Sequence, residues 1–138
     1  MRRWFPGAIV LVLTALAVFV GVSMSRGRHA DVARFARERP HYEALIAQIP
    51  AVAGEPRLLQ WPWTERGAAI GAQVFQTLVY DESDELAGEP PHLTAAWHAR
   101  SRGSLAQTAL ALDQPRDDDS VAVRPMGGHF YLLTETLQ

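Results

Sequence analysis

The sequence predicts an α+β architecture on a membrane anchor: an N-terminal transmembrane helix, then a helix packed on a small antiparallel sheet of about four strands. Three observations predict it. Residues 5–24, FPGAIVLVLTALAVFVGVSM, carry no charge. An apolar stripe of helical spacing follows, and past Pro50 the pattern changes to short alternating segments separated by turn residues. These features divide the chain into an anchor at 1–24, a juxtamembrane helix or linker at 25–40 and a small α+β domain at 41–138.

As a helix, residues 5–24 would be about 30 Å long at about 1.5 Å per residue, the thickness of the hydrocarbon layer. Arg2 and Arg3 ahead of the run also suit the basic region of a cleaved secretory signal, with Gly21-Val22-Ser23 as small residues near a cleavage point. The run exceeds the usual signal core of about 7–15 residues, and Met24, Arg26 and Arg28 follow it, so the expected form is an uncleaved anchor. Orientation pulls two ways. Arg26, Arg28, Arg34, Arg37 and Arg39 favour a cytoplasmic C-terminal side. A short basic tail before a single span favours export, and the expected placement is extracytoplasmic.

From Ser25 to Ile49 the chain reads as helix. Val32, Phe35, Tyr42, Ile46 and Ile49 draw one stripe, and Tyr42, Leu45, Ile46 and Ile49 keep the i, i+3, i+4, i+7 pattern of a core-facing helix. Pro40 lacks the N–H of a helix interior, so the spacing predicts an interruption there, with a second piece docking Leu45 and Ile46 on the sheet. Pro50 stops it. Arg57 to Trp63 reads as a strand, with Trp61 and Trp63 on one face and Pro62 marking an edge. Ala68 to Tyr80 is the strongest strand signal, because Val74, Gln76, Leu78 and Tyr80 alternate with Phe75, Thr77 and Val79. It ends in the turn Asp81-Glu82-Ser83-Asp84-Glu85. Pro90 and Pro91 open a short helix through Arg100 that buries Leu93 and Trp97. Leu105 to Leu112 fits helix or strand. Ser120 to Arg124 and His129 to Glu135 form a closing hairpin around Met126-Gly127-Gly128.

Composition excludes several functions. The 114 residues after Met24 hold eleven arginines against fifteen acidic residues, a net −4 that argues against nucleic acid, whose phosphates demand clustered positive charge. Cysteine is absent, which removes disulfides and thiol chemistry. Lysine and asparagine are absent as well, a chain-wide bias that GC-rich coding explains more simply than anion recognition.

No catalytic constellation emerges. His29, His41, His92, His98 and His129 are scattered, and a spacing of six puts His92 and His98 about 240° apart around a helix at about 100° per residue. Asp81, Ser83 and Glu85 alternate like the start of a calcium loop, but Leu86 stands where glycine is needed and His92 where the closing acid belongs. There is no G-x-S-x-G and no phosphate cradle. The expectation is therefore no catalytic residue, no metal set and no cofactor. The concentrated chemical feature is acidic: Asp81, Glu82, Asp84 and Glu85, with Asp117, Asp118 and Asp119, form a candidate partner surface able to steer a basic molecule.

The strand end Val79-Tyr80-Asp81-Glu82-Ser83-Asp84-Glu85 and the final Gly128-His129-Phe130-Tyr131 resemble a loose group of small single-span bacterial membrane proteins without an assigned activity. The resemblance covers about the last two thirds of the chain and supplies no functional residues. It implies a bacterial inner-membrane protein. The expected function is a non-catalytic interaction or structural module of the envelope, held to the lipid bilayer by residues 5–24 and meeting an envelope protein. The alternatives are a small membrane-anchored hydrolase and an inhibitor or immunity-type protein acting through its acidic face.

Overall fold

The alternation of Val74, Gln76, Leu78 and Tyr80 with Phe75, Thr77 and Val79 becomes a central strand of the sheet. The computed structural model describes residues 27–67, 73–113 and 121–137. The chain divides into two compact units between Ile49 and Pro50. The apolar run 5–24 lies outside the described residues, and among those described no helix is long and apolar enough to cross a membrane.

Residues 27–47 of the first unit are helical (α1). The helix runs through Pro40 without a break, contrary to the interruption that its missing N–H predicts. Only one i→i−4 bond is lost at a proline, and the flanking turns carry their own side-chain ties. Arg34 meets Glu38 at 2.9 Å and Arg39 meets Glu43 at 2.6 Å, while the Tyr42 hydroxyl donates to Glu38 Oε2 at 3.2 Å. Such exposed i, i+4 pairs contribute about 0.3–0.5 kcal/mol each. Asp31, Phe35, Tyr42 and Ile46 are the buried residues of α1, at spacings of four and seven that define one face. Val32 and Ile49, placed on that stripe by the sequence pattern, are exposed, and Leu45 is half-buried. The helix closes with Ile49 N–H on Ile46 O at 3.0 Å, and Pro50 ends it.

The second unit holds β1 (Leu58–Gly67), β2 (Gln73–Asp81), a 3-10 turn (Glu85–Ala87), α2 (Ala95–Arg100), α3 (Ser104–Asp113), β3 (Val121–Gly127) and β4 (Phe130–Leu137). The four strands form one antiparallel sheet in the order β1-β2-β4-β3. Leu105, Thr108, Ala109 and Leu112 fall at i, i+3, i+4 and i+7, and this inward face settles α3 as helix. α2 begins at Ala95, later than the prolines suggest. Thr94 caps it by accepting from Trp97 N–H at 3.2 Å, and Ser101 closes it through its N–H on Trp97 O at 3.0 Å.

Both helices bury their apolar residues on one face of the sheet. Val79, Tyr131 and Leu133 form that face, and Leu86, Trp97, Leu105 and Ala109 cover it. Each fully buried large side chain contributes about 1.5–3 kcal/mol of transfer free energy. Leu78, Tyr80, Phe130 and Leu132, pointing to the opposite face, are buried too.

Each sheet edge carries a proline next to a register shift. In β1 the shift falls between Pro62 and Thr64, with Trp63 at the bulge; in β3 it falls between Pro125 and Gly127. β1 is thus the edge that Pro62 indicates. The simple alternation that would set Trp61 beside Trp63 is broken by the bulge. The β3–β4 hairpin turns on Gly128 and His129, both with positive φ, as a two-residue hairpin loop of the mirror-image type requires. In a chain without asparagine, histidine takes the left-handed position that asparagine often fills.

The buried face of α1 yields a paired test. Ile46→Asp places a charge on a side chain 6% exposed and is expected to lower stability by about 2–5 kcal/mol. Val32→Asp, at 53% exposure, is expected to stay within about 0.5 kcal/mol of the parent. Chemical denaturation of the full chain checks both, and equal losses would move the buried face elsewhere.

Candidate functional site

Two regions of the second unit gather chemically active side chains: the acidic turn after β2, and a cleft beside β1. The turn is built on Asp81, which is fully buried. Its Oδ1 accepts from Ser83 N–H at 3.1 Å and Ser83 Oγ–H at 2.5 Å, and its Oδ2 accepts from Leu86 N–H at 3.1 Å. These bonds wrap the chain around one carboxyl group and drop Leu86 into the core.

The neighbouring acids are equally engaged. Glu82 grips Arg57 in a fork, Oε1 to Nη2 at 2.7 Å and Oε2 to Nε at 3.1 Å, while Oε2 also accepts Arg57 N–H at 2.8 Å. The Arg57 guanidinium and its backbone N–H hold the Glu82 carboxyl down at about 2. Arg57 also lies over the Tyr80 ring, 5.8 Å from its centroid. Asp84 takes a left-handed backbone, φ 56°, and so does His129 across from it, φ 65°. Asp84 Oδ1 accepts from Tyr131 Oη–H at 2.7 Å and lies 2.8 Å from His129 Nδ1. Burial works against the ionised Asp84, but the bonds from Tyr131 and His129 outweigh it and lower its pKa. Burial and Asp84 together push the Tyr131 phenol upward. Glu85 accepts Thr94 N–H at 2.6 Å and faces Arg100 at 3.5 Å.

The cleft, about 600 Å³, is lined by residues of β1, β2, α3 and β4. Phe75, register partner of Glu135, gives it an aromatic wall, and Gln60, Gln107, Thr108 and Glu135 supply polar groups. Thr108 Oγ1 donates to Glu135 Oε2 at 3.3 Å, fixing the carboxylate against α3. Gln60 donates through Nε2 to Arg102 O at 2.9 Å, which leaves its Oε1 buried and unpartnered. Among the described lining residues Glu135 is the one acidic or basic side chain. The polar groups Gln60, Gln107, Thr108 and Glu135 could accept hydrogen bonds from a bound molecule, and the volume falls within the usual range of ligand pockets.

The structure thus gathers Asp81, Glu82, Asp84 and Glu85 in one turn but gives each an intramolecular partner, with Asp81 sealed from solvent. Asp117, Asp118 and Asp119 lie outside the described residues. His129, expected as a partly buried strand residue, is exposed in the hairpin turn before β4. His98 meets Asp113 at 2.7 Å and ties the end of α3 to α2. Sequence reasoning missed the cleft entirely. No protein-family model matches this chain, and no curated protein and no solved structure matches it.

Asp81→Asn tests the turn. One oxygen of the pair becomes an NH₂ that faces either Leu86 N–H or Ser83, so a buried donor loses its acceptor. A loss of about 1–3 kcal/mol in denaturant unfolding is expected, and an unchanged midpoint would remove Asp81 as the organising group.

Glu82 gives a pH dependence with a definite sign. Its folded pKa is depressed from the ordinary 4.5 to about 2, so between those values the unfolded chain binds the extra proton. Stability contributed by the Arg57–Glu82 pair is present above about pH 4.5 and is lost as pH falls toward about 2. Glu82→Gln is expected to flatten that decline, measured as the unfolding midpoint across acid pH.

Proposed function

We propose that this chain is a membrane-tethered, non-catalytic contact module of the bacterial envelope. Residues 5–24 form the transmembrane anchor in the inner membrane, and the sheet-bearing unit sits on the extracytoplasmic side, where it engages an envelope protein. The observation that carries the reading is the cleft of about 600 Å³ on the acidic unit, lined by Gln60, Phe75, Thr108 and Glu135 among others. From Pro50 onward the chain has six arginines against twelve acidic residues, whereas the first 49 residues have seven arginines against three. Such a division favours a basic partner for the sheet unit, attracted over about 8–10 Å at ordinary ionic strength.

The tether and its direction are tested by fusions at Gln138. An alkaline phosphatase fusion is expected to be active and a green fluorescent protein fusion dark, in cells whose membrane fraction retains the protein. The reverse pair of signals places the sheet unit in the cytoplasm and overturns the exported reading. Release of the protein from the membrane as a shortened chain overturns the uncleaved anchor.

A further inference from the structure

We infer that the first residues of the sheet unit, Pro50 to Glu55, are a processing site at which an endoprotease with a pocket for small side chains severs that unit from the anchored N-terminus. The cut rests on the contact-module reading, in which residues 5–24 are the tether. An endoprotease binds its substrate as an extended strand, so it cuts where the backbone is exposed and easily straightened. Every residue from Pro50 to Glu55 is exposed, Val52 to 56%. The chain is fixed on both sides of this segment. Ile49 N–H closes α1 on Ile46 O at 3.0 Å, and Arg57 is gripped by Glu82 through its N–H at 2.8 Å and its guanidinium at 2.7 Å. Between those points the backbone turns on Gly54, φ 81°, with Glu55 N–H on Val52 O at 3.0 Å. A bond so exposed exchanges for one to water at little cost. Straightening the turn withdraws nothing from the apolar core, whose residues run from Leu58 onward.

The segment reads Pro50-Ala51-Val52-Ala53-Gly54-Glu55-Pro56, and this composition selects the class of enzyme. The bonds Ile49–Pro50 and Glu55–Pro56 lack an N–H and carry a fixed φ, which makes them poor substrates. Between the prolines, the bonds after Ala51, Val52 and Ala53 each present a small apolar side chain. A pocket of the elastase kind, too small for larger residues, accepts them. A trypsin-type pocket, built for a cation, finds no basic residue between the prolines, and Arg57 just beyond them has its guanidinium on Glu82. Ala44 and Ala47 are exposed as well, but they lie in the helical backbone of α1, which must unwind before it is cut. The reaction is hydrolysis. Water adds across the bond after Val52, for example, leaving a carboxylate on Val52 and an amine on Ala53.

The test treats the full chain in detergent micelles with pancreatic elastase at limiting concentration and reads the first cut by intact mass and N-terminal sequencing. The expected early products are a fragment ending at residue 51, 52 or 53 and its complement running to Gln138. Ala51→Glu, Val52→Glu and Ala53→Glu, combined on these exposed positions, are expected to slow the cut by at least roughly tenfold and to leave the denaturant midpoint unchanged. A first cut elsewhere, residues 68–72 and 114–120 included, overturns the inference, as does equal cleavage of parent and variant. The second arm places an epitope tag after Gln138 in the native bacterium. A tagged fragment whose first residue is 52, 53 or 54 is expected, and a tagged chain that stays whole overturns the processing role. A tagged fragment that starts near residue 25 marks removal of a signal; it overturns the tether reading and with it the processing role, while the elastase map stands by itself.

Discussion

The fully buried carboxyl of Asp81 is the constraint on which the sheet unit's polar end depends. A carboxyl group taken out of water must recover its hydrogen bonds inside the protein, and Asp81 does so from Ser83 and Leu86 within five residues of itself. Those bonds force a tight reversal after β2. The reversal puts Leu86 into the core and leaves Asp84 in a left-handed conformation. Asp84 then meets Tyr131 and His129, so the turn after β2 is tied to the hairpin before β4, its neighbour in the sheet. Asp81 N–H on His129 O at 2.8 Å completes the tie through the backbone. Two residues with unfavourable positive φ, Asp84 and His129, are each held in place by the other.

The sheet protects its borders with one device used twice. A four-stranded antiparallel sheet exposes two edges, and each unpaired edge is a template for further strands. Pro62 with the bulge at Trp63 at one edge, and Pro125 with the register shift before Gly127 at the other, remove donors and twist the ladder.

Electrostatics in the second unit divide into two kinds. The acids of the turn are committed to structure: Glu82 to Arg57, Asp84 to Tyr131 and His129, Glu85 to Thr94 and Arg100. Their fields persist beyond these contacts, because twelve acidic residues face six arginines from Pro50 onward. Glu135 differs in lying at a cleft whose other described lining groups are neutral near pH 7. Thr108 on α3 holds that carboxylate through a hydrogen bond of 3.3 Å.

The sequence by itself determined those elements whose signals are local. Alternation through Val74–Tyr80 specified β2, glycines at 127 and 128 specified the closing hairpin, and Pro62 marked β1 as an edge. Period two and positive φ act over a few residues, so they are legible without partners. Other outcomes were decided by tertiary structure. The 105–112 stretch became helix because Leu105 and Ala109 had a sheet face to cover. α1 continued through Pro40, and its buried face turned out to carry Asp31 in place of Val32. The run 81–85 looked like a solvated acidic surface, and four of its residues instead found partners as distant in sequence as Arg57 and Tyr131. The cleft needed Gln60 from β1, Phe75 from β2, Thr108 from α3 and Glu135 from β4 at once. Composition and periodicity record which side chains a segment has, whereas burial, ion pairing and concavity arise only when segments far apart in the chain are brought within a few ångströms.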